Sequence, residues 1–220
     1  MIDDSINYGY IIRYIRDMLP ERTGLLRELE LYAAEHEVPI SQPETIKLLE
    51  LLIKLGRRRS VLEVGAAIGY SAICMAQAGA EKIDTIEINK DSAETAAGNF
   101  KKAGLCGAVT LYTGDAAEVL PNLARSGRRY DMIFIDAAKA QYGAFFESCM
   151  SMLCPGGLLV SDNVLYKGMT ATDELVLHRK RTIVKRLRDY VKLLCTHEQL
   201  ETVVLPVGDG IALSIKRDEI

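Results

Sequence analysis

The sequence predicts an α/β fold with a seven-stranded, mostly parallel sheet, an antiparallel C-terminal strand and extra helices at the N-terminus. From residue 60 onwards, short apolar segments alternate with segments whose apolar residues recur at helical spacing. This alternation is typical of a parallel sheet that is covered by helices on both faces. Near the end of the chain, only residues 206–210 separate two apolar segments. That connection is too short for a crossover helix, so these two strands should pair antiparallel.

The first part of the chain is predicted to be helical, because its apolar residues recur with a period near 3.6. Three helices are expected, at residues 6–19, 21–37 and 42–55. They could cover a substrate site or form the contact of a homodimer. About 100–200 residues is the usual size of a domain. We therefore expect a single domain, made of a helical segment (residues 1–56) and a Rossmann-like core (residues 57–220).

In the core, strands and helices are predicted to alternate. The strands are expected at residues 61–64, 83–88, 108–112, 130–135, 158–161, 201–205 and 211–215. The helices are expected at residues 70–77, 90–103, 116–124, 140–152 and 172–194.

The composition is that of an ordinary water-soluble enzyme, with 49% hydrophobic and 26% charged residues and a net charge of −3. No apolar run approaches the roughly 18 residues of a membrane helix. The N-terminus has two aspartates and no basic segment, so a secretory signal is not expected and a cytoplasmic location is predicted. The five cysteines form no CxxC pair and the three histidines lie far apart, so any metal should be held by oxygen.

Acidic or amide side chains follow most of the predicted parallel strands, where open α/β sheets bind their ligands. These residues are Glu63, Glu87, Asp115, Asp136, Asp162 and Asn163. Each acid alone could be an ordinary surface-loop residue. Their recurrence at one strand end after another favours a functional site at this edge of the sheet.

The glycine turn after the first strand, Gly65 to Gly69, has the spacing GxxxG rather than the GxGxxG of dinucleotide enzymes. It therefore suits an adenosyl cofactor without phosphates. Gly65 would let the backbone approach the cofactor, and Glu87 would accept its ribose hydroxyls. Ser71, at the start of the next helix, would bind an anionic group such as the carboxylate of S-adenosylmethionine.

Asp115 and Ala116 are expected to contact adenine, although Asp115 could instead cap the helix that follows. The oxygen atoms of Asp136, Asp162 and Asn163 suit Mg²⁺, with Mn²⁺ or Ca²⁺ as alternatives. Lys139, three residues after Asp136, would then take the proton of a hydroxyl group near the ion. An exposed lysine in the first turn of a helix is the alternative interpretation.

The segments VLEVGAAIGYS, TIEIN, TGDA, FIDAAK, SDNVLYKG and LPVGDGIALS resemble, in order and spacing, the cation-dependent O-methyltransferases that use S-adenosylmethionine. The resemblance covers essentially the whole chain and implies the Rossmann-like class I methyltransferase fold. It implies catalytic roles for Asp136 and Lys139. We also include Ile40, Glu63, Ala67, Ile88 and Asp136 among the candidate cofactor contacts.

Within this family the chain looks most like the bacterial tRNA 5-hydroxyuridine methyltransferases, on the segments YAAEHEVPI, DNVLYKGMT and HRKRTIVKRL. Catechol enzymes hold their ring with tryptophans, and this chain has none. Tyr166 or Tyr142 could stack on a base instead. Four basic residues share one face of the predicted last helix, where they could bind phosphates or simply be solvated. They are Arg181, Lys185, Arg188 and Lys192.

The resulting hypothesis is an Mg²⁺-dependent transfer of the methyl group of S-adenosylmethionine to wobble 5-hydroxyuridine in the tRNA anticodon, giving 5-methoxyuridine. The alternative is a catechol or caffeoyl-type O-methyltransferase with the same ion and base. A third hypothesis is a non-catalytic module that binds an adenosyl cofactor or RNA. Asp136, Lys139, Asp162 and Asn163 argue against it, because a binding module needs neither a metal site nor a base.

Overall fold

The computed structural model describes residues 6–218, and within this range the chain forms eight α-helices and seven strands. The helices are α1 (Gly9–Asp17), α2 (Gly24–Glu35), α3 (Pro43–Gly56), α4 (Tyr70–Ala78), α5 (Lys90–Lys102), α6 (Ala116–Arg125), α7 (Tyr142–Met152) and α8 (Arg181–Thr196). The strands are β1 (Ser60–Val64), β2 (Lys82–Glu87), β3 (Val109–Thr113), β4 (Tyr130–Ile135), β5 (Leu153–Ser161), β6 (Leu200–Leu205) and β7 (Ile211–Lys216). Residues 1–5, which include the two aspartates of the N-terminus, and residues 219–220 lie outside this range. The predicted ends of the domain therefore fall outside the described residues.

The strands form one sheet in the order β3-β2-β1-β4-β5-β7-β6. Strands β1 to β5 are parallel, whereas β7 is antiparallel to both β5 and β6. This arrangement confirms the predicted sheet. β2 and β4 lie on opposite sides of β1. The connections after β1 and β2 therefore add strands on one side of β1, and the connection after β3 crosses to the other side. Such a switch in strand order opens a crevice at the carboxyl ends of the strands.

Helices cover both faces of the sheet. Successive side chains of each central strand point to opposite faces, so each strand contributes apolar side chains to both. Val61 packs with residues of α3, α4 and α5, while its neighbour Leu62 packs with residues of α6, α7 and α8. Both side chains are fully buried. The two apolar layers therefore fix the central strands, and with them the side chains that follow their carboxyl ends. No helix within residues 6–218 is both long and apolar enough to span a membrane.

The first two helices are shorter than predicted by a few residues at each end, and two later elements begin at positions far from the predicted ones. The fifth strand begins at Leu153 rather than at residue 158, so it includes Gly156 and Gly157. The last helix begins at Arg181 rather than at residue 172, after a 3₁₀ turn at His178–Lys180. Residues 162–177 instead form a long loop. Its carbonyl groups are bound in part by the side chain of Arg188, so they do not need helical partners.

Candidate cofactor and metal site

A cavity of about 530 Å³ lies at the carboxyl ends of β1, β2, β4 and β5. Most of the predicted site residues line it. They are Ile40, Gly65, Ala67, Ser71, Glu87, Ile88, Asp115, Ala116, Asp136, Lys139, Asp162 and Asn163. The lining of this cavity does not include Glu63, Tyr166, Arg181, Lys185 or Arg188.

The glycine turn is required by contacts within the protein. Gly65 has a φ of 106°, and a Cβ atom at this position would overlap the carbonyl oxygen of Asp136. Gly69 has a φ of 84° and precedes α4, where a Cβ atom would lie 2.6 Å from the ring of Phe100. We expected Gly65 to make room for a cofactor. The structure gives a different reason, which is the close approach of the ends of β1 and β4.

Glu87 is fixed by two backbone groups at the end of β2. Its Oε2 accepts a hydrogen bond from the N–H of Ala67 at 2.8 Å, and its Oε1 accepts one from the N–H of Asn89, also at 2.8 Å. Each carboxylate oxygen can accept a second hydrogen bond. The carboxylate is therefore held in one orientation and can still bind the two hydroxyl groups of a ribose.

Glu63 lies beneath the cavity and contacts it through Ser71. The hydroxyl groups of Ser71 and Thr85 each donate a hydrogen bond to Glu63 at 2.5 Å, and Glu63 is fully buried. Burial raises the pKa of Glu63 to about 7, because the charged carboxylate loses its hydration, while the two hydroxyl donors oppose this rise. Glu63 therefore orients Ser71 rather than contacting a ligand itself.

The part of the cavity lined by Ile40, Ile88, Asp115 and Ala116 combines apolar and polar groups. Asp115 accepts a hydrogen bond from the N–H of Ala117 at 2.8 Å, so it caps α6 and also lines the cavity. The two alternatives left open for this residue are thus compatible. Ile40 and Ile88 contribute apolar surface, and 64% of Ile88 is exposed. Such surface suits the flat face of a purine.

Two carboxylates face the cavity from β4 and β5. Asp136 accepts a hydrogen bond from the hydroxyl of Ser41 at 3.1 Å. Burial, followed by the negative charge of Asp136, raises the pKa of Asp162 to about 8. Burial also raises the pKa of Asp136, and the nearby Lys139 opposes that rise.

A divalent cation would offset this buried negative charge. No group of three or more His, Cys, Asp or Glu side chains suited to a metal occurs within residues 6–218. The candidate ligands are therefore the carboxylates of Asp136 and Asp162 with the amide of Asn163, whose backbone is left-handed with a φ of 53°. Oxygen donors of this kind fit Mg²⁺.

Among the basic residues of α8, Arg188 binds the loop that follows the candidate metal ligands, whereas Arg181, Lys185 and Lys192 are exposed. Arg188 donates hydrogen bonds to the carbonyl groups of Thr170 and Met169, at 2.9 and 3.0 Å. It also forms an ion pair with Asp173 at 2.6 Å. The expected role of Arg188 in binding phosphate thus competes with these contacts. Lys185 pairs with Asp189 at 2.7 Å on the exposed face of the helix.

Of the two candidate stacking residues, only Tyr166 is accessible. Tyr142 is fully buried, and its hydroxyl donates a hydrogen bond to the carbonyl group of Asp162 at 3.1 Å. It therefore supports β5 and is unable to stack on a base. Tyr166 is partly buried and lies outside the cavity lining, in the loop that follows Asn163. Sequence reasoning missed Ser41, because no local pattern connects it with Asp136.

Comparison with known proteins identifies the family. The sequence model of the O-methyltransferase family matches residues 19–217. A catechol O-methyltransferase of Niastella koreensis is 32% identical, over 92% of this chain and 94% of that protein. Caffeoyl-CoA O-methyltransferase 3 of Nicotiana tabacum is 30% identical, over 97% of this chain and 91% of that protein.

Two solved structures have the same fold. An O-methyltransferase of Bacillus cereus, in complex with SAH, is 25% identical and gives a TM-score of 0.84, over 99% of this chain and 100% of that one. The O-methyltransferase TomG of Streptomyces achromogenes, in complex with SAM, is 26% identical and gives a TM-score of 0.82, over 96% and 97% of the two chains. With the family model matching nearly its whole length, this chain belongs to the O-methyltransferase family.

Proposed function

We propose that this chain is a cation-dependent O-methyltransferase that methylates the 5-hydroxyl group of wobble 5-hydroxyuridine in tRNA, giving 5-methoxyuridine. The observation that carries the proposal is the meeting of Asp136, Asp162, Asn163 and Lys139 in the same cavity as Glu87. S-adenosylmethionine would supply an electrophilic methyl group, and a divalent cation would supply positive charge that stabilises the acceptor oxyanion.

The residues around the glycine turn would hold the cofactor. Glu87 would accept the ribose hydroxyls, while Ile40 and Ile88 would pack on adenine. Ser71, oriented by Glu63, would contact the aminoacyl end near the start of α4. The SAM and SAH complexes of the two related structures support this assignment.

The acceptor would be oriented by the oxygen donors at the ends of β4 and β5. Asp136, Asp162 and Asn163 would hold the cation, which needs further oxygen ligands. A 5-hydroxyuridine offers two neighbouring oxygens, the hydroxyl and the adjacent carbonyl. Lys139 lines the same cavity and, as the neutral amine, would take the hydroxyl proton and become the ammonium ion. Fixing the acceptor oxygen beside the methyl donor removes much of the entropic barrier to transfer.

Exposed cations at the start of α8 support a nucleic-acid acceptor, with Arg181 and Lys185 on the outer surface. An anticodon loop can present an unstacked base without opening a duplex. A small catechol or caffeoyl-type acceptor is the second candidate, because the catechol and caffeoyl-CoA enzymes share about a third of this sequence. That the protein works as a homodimer in the cytoplasm stays a prediction.

The test measures transfer of a labelled methyl group from S-adenosylmethionine, with Mg²⁺ or with excess EDTA. The acceptors are tRNA containing wobble 5-hydroxyuridine, the same tRNA with unmodified uridine, and caffeic acid. Cation-dependent labelling of the 5-hydroxyuridine tRNA alone supports the proposal. Labelling of caffeic acid with no labelling of tRNA moves the activity to the second candidate. Equal transfer in EDTA contradicts the role of the cation.

The same assay tests the basic surface of α8. Replacing Arg181 and Lys185 together by alanine should raise the KM for tRNA, because exposed cations contribute to binding of the phosphate backbone. The KM for caffeic acid should stay unchanged. An unchanged KM for tRNA would show that this surface does not contact RNA.

A further inference from the structure

The ring of Tyr166 lies close to the ammonium groups of two lysines from different parts of the chain. The Nζ atom of Lys139 is 6.0 Å from the ring centroid, and the Nζ atom of Lys180 is 5.7 Å from it. Lys139 also lines the cavity, whereas Tyr166 follows the candidate metal ligand Asn163 by three residues. The two lysines and the ring therefore form a cluster beside the place where an acceptor would bind.

The two lysines of this cluster differ in whether a carboxylate offsets their positive charge. The charge of Lys139 interacts with the carboxylates of Asp136 and Asp162. For Lys180, no ion pair is found within the described part of the chain. Its side chain is only partly exposed, so solvent screens its charge less than that of a fully exposed lysine. The cluster thus carries one unbalanced positive charge near the reacting groups.

The loop that carries Tyr166 is held in a defined conformation. Tyr166 and Lys167 have positive φ values of 43° and 57°, which are unfavourable for residues other than glycine. Such a backbone persists only when its surroundings fix it, and it occurs often at ligand sites. Arg188 supplies part of this restraint through the carbonyl groups of Met169 and Thr170. Tyr166 is therefore held in place before any acceptor arrives.

We propose that Lys180 and Tyr166 form a subsite for an anionic group carried by the acceptor, next to the ring that is methylated. This inference rests on the proposed function, and it specifies in addition that the acceptor carries a negative charge. Tyr166 would pack on the acceptor, and Lys180 would pair with a phosphate or a carboxylate attached to it. The shared chemistry is a hydroxylated planar ring with a neighbouring negative charge.

The test compares acceptors that differ in this charge. Protocatechuic acid is paired with catechol, and 5-hydroxyuridine 3′-monophosphate is paired with 5-hydroxyuridine. The KM for methyl transfer is measured in the wild type, Lys180→Met and Lys180→Arg. We expect the wild type to favour the anionic member, and Lys180→Met to reduce that preference about fivefold, as for an ion pair worth about 1 kcal/mol. Lys180→Arg should retain it.

A matched control is Arg179→Met, which removes the same charge from an exposed neighbour and should leave the preference unchanged. A preference for 5-hydroxyuridine 3′-monophosphate over 5-hydroxyuridine indicates that the subsite binds a phosphate. A preference for protocatechuic acid over catechol indicates that it binds a carboxylate. A preference that survives in Lys180→Met, or is absent in the wild type, overturns the subsite and leaves the result of the separate tRNA assay unaffected.

Direct binding keeps the test independent of turnover. The affinities for protocatechuic acid and catechol are measured by calorimetry with SAH and Mg²⁺ present. Tighter binding of the acid to the wild type than to Lys180→Met supports the subsite even if none of the four acceptors is methylated. The proposed function is tested separately, with tRNA as the acceptor. Equal affinities in the two proteins overturn the subsite.

Discussion

The hydroxyl group of Ser41 donates a hydrogen bond to a carboxylate oxygen of Asp136 at 3.1 Å, across 95 positions of sequence. Ser41 is only 9% exposed and lies just before α3. Its neighbour Gln42 accepts a hydrogen bond from Arg16 of α1 at 2.9 Å. The segment that joins α2 to α3 therefore helps to position a carboxylate of the candidate metal site, and it also lines the cavity through Ile40, Ser41 and Gln42.

Replacing Ser41 by alanine should lower kcat/KM and the affinity for divalent cations, each by about tenfold. Asp136 would lose a donor that fixes its orientation, while the fold would keep its apolar core. Calorimetric titration with Mg²⁺ and steady-state kinetics measure both effects. Ser41→Thr retains the hydroxyl group and should restore both values. Wild-type cation affinity in Ser41→Ala would show that this hydrogen bond does not position the carboxylate.

Glu63 should make the stability of the protein depend on pH. Its pKa is raised to about 7 in the folded protein, from an ordinary value of 4.5. The folded state therefore holds this proton more tightly than the unfolded chain does. It follows that the contribution of Glu63 to the free energy of unfolding falls as pH rises from about 4.5 to about 7.

Glu63→Gln removes this titration and keeps hydrogen-bonding groups for Ser71 and Thr85. Relative to the wild type, the variant should gain about 3 kcal/mol in free energy of unfolding between pH 4.5 and pH 8. Urea unfolding at several pH values measures the difference. Glu94→Gln, on the exposed face of α5, is the matched control. Parallel pH profiles for Glu63→Gln and the wild type would contradict the prediction.

The carboxylates of the candidate site were predictable, because parallel strands place their carboxyl ends at one edge of a sheet. Ser41 and Arg188 were not recognised as supports of the site. Their partners are fixed only when separate elements pack together, and no local pattern records that packing. The start of α8 was misplaced for the same reason. Residues 172–177 have helical character in sequence, but the preceding loop is held by Arg188 and by Asp209, which accepts a hydrogen bond from the N–H of Lys167.

Arg188→Ala should loosen the loop of residues 162–177 and raise the KM for the acceptor about tenfold. Removing the guanidinium leaves partly buried carbonyl groups without their donor, at a cost of about 1–3 kcal/mol. The cofactor contacts lie on other loops, so the affinity for SAH should be retained. Hydrogen exchange of the loop, together with kinetics, measures the effect.

Lys185→Ala is the matched control for this change. The pair between Lys185 and Asp189 is exposed, and such pairs contribute less than about 1 kcal/mol. Loop exchange and small-acceptor kinetics should therefore stay at wild-type values. Faster exchange in Lys185→Ala as well would indicate that α8 is weakened as a whole, rather than that Arg188 holds the loop.

Asp162→Asn should abolish methyl transfer and leave the affinity for SAH largely intact, since the cofactor contacts at Glu87 and Ser71 are unchanged. The substitution keeps the shape of the side chain but removes one of two buried negative charges. In EDTA at pH 9 the wild type bears the cost of burying the charged carboxylate of Asp162, because this pH lies above the pKa of about 8 that Asp162 has in the folded protein. The variant should therefore melt at a higher temperature than the wild type under those conditions.

Adding Mg²⁺ should reverse this order. A cation that binds only the folded wild type raises its melting temperature by mass action, whereas the variant has lost a charged ligand and should respond weakly. Thermal unfolding with EDTA and with Mg²⁺ measures both differences, and Asp91→Asn on the exposed surface of α5 controls for the loss of a charge. Equal stabilisation of Asp162→Asn and the wild type by Mg²⁺ would place the cation elsewhere, and retained turnover in the variant would remove Asp162 from the mechanism.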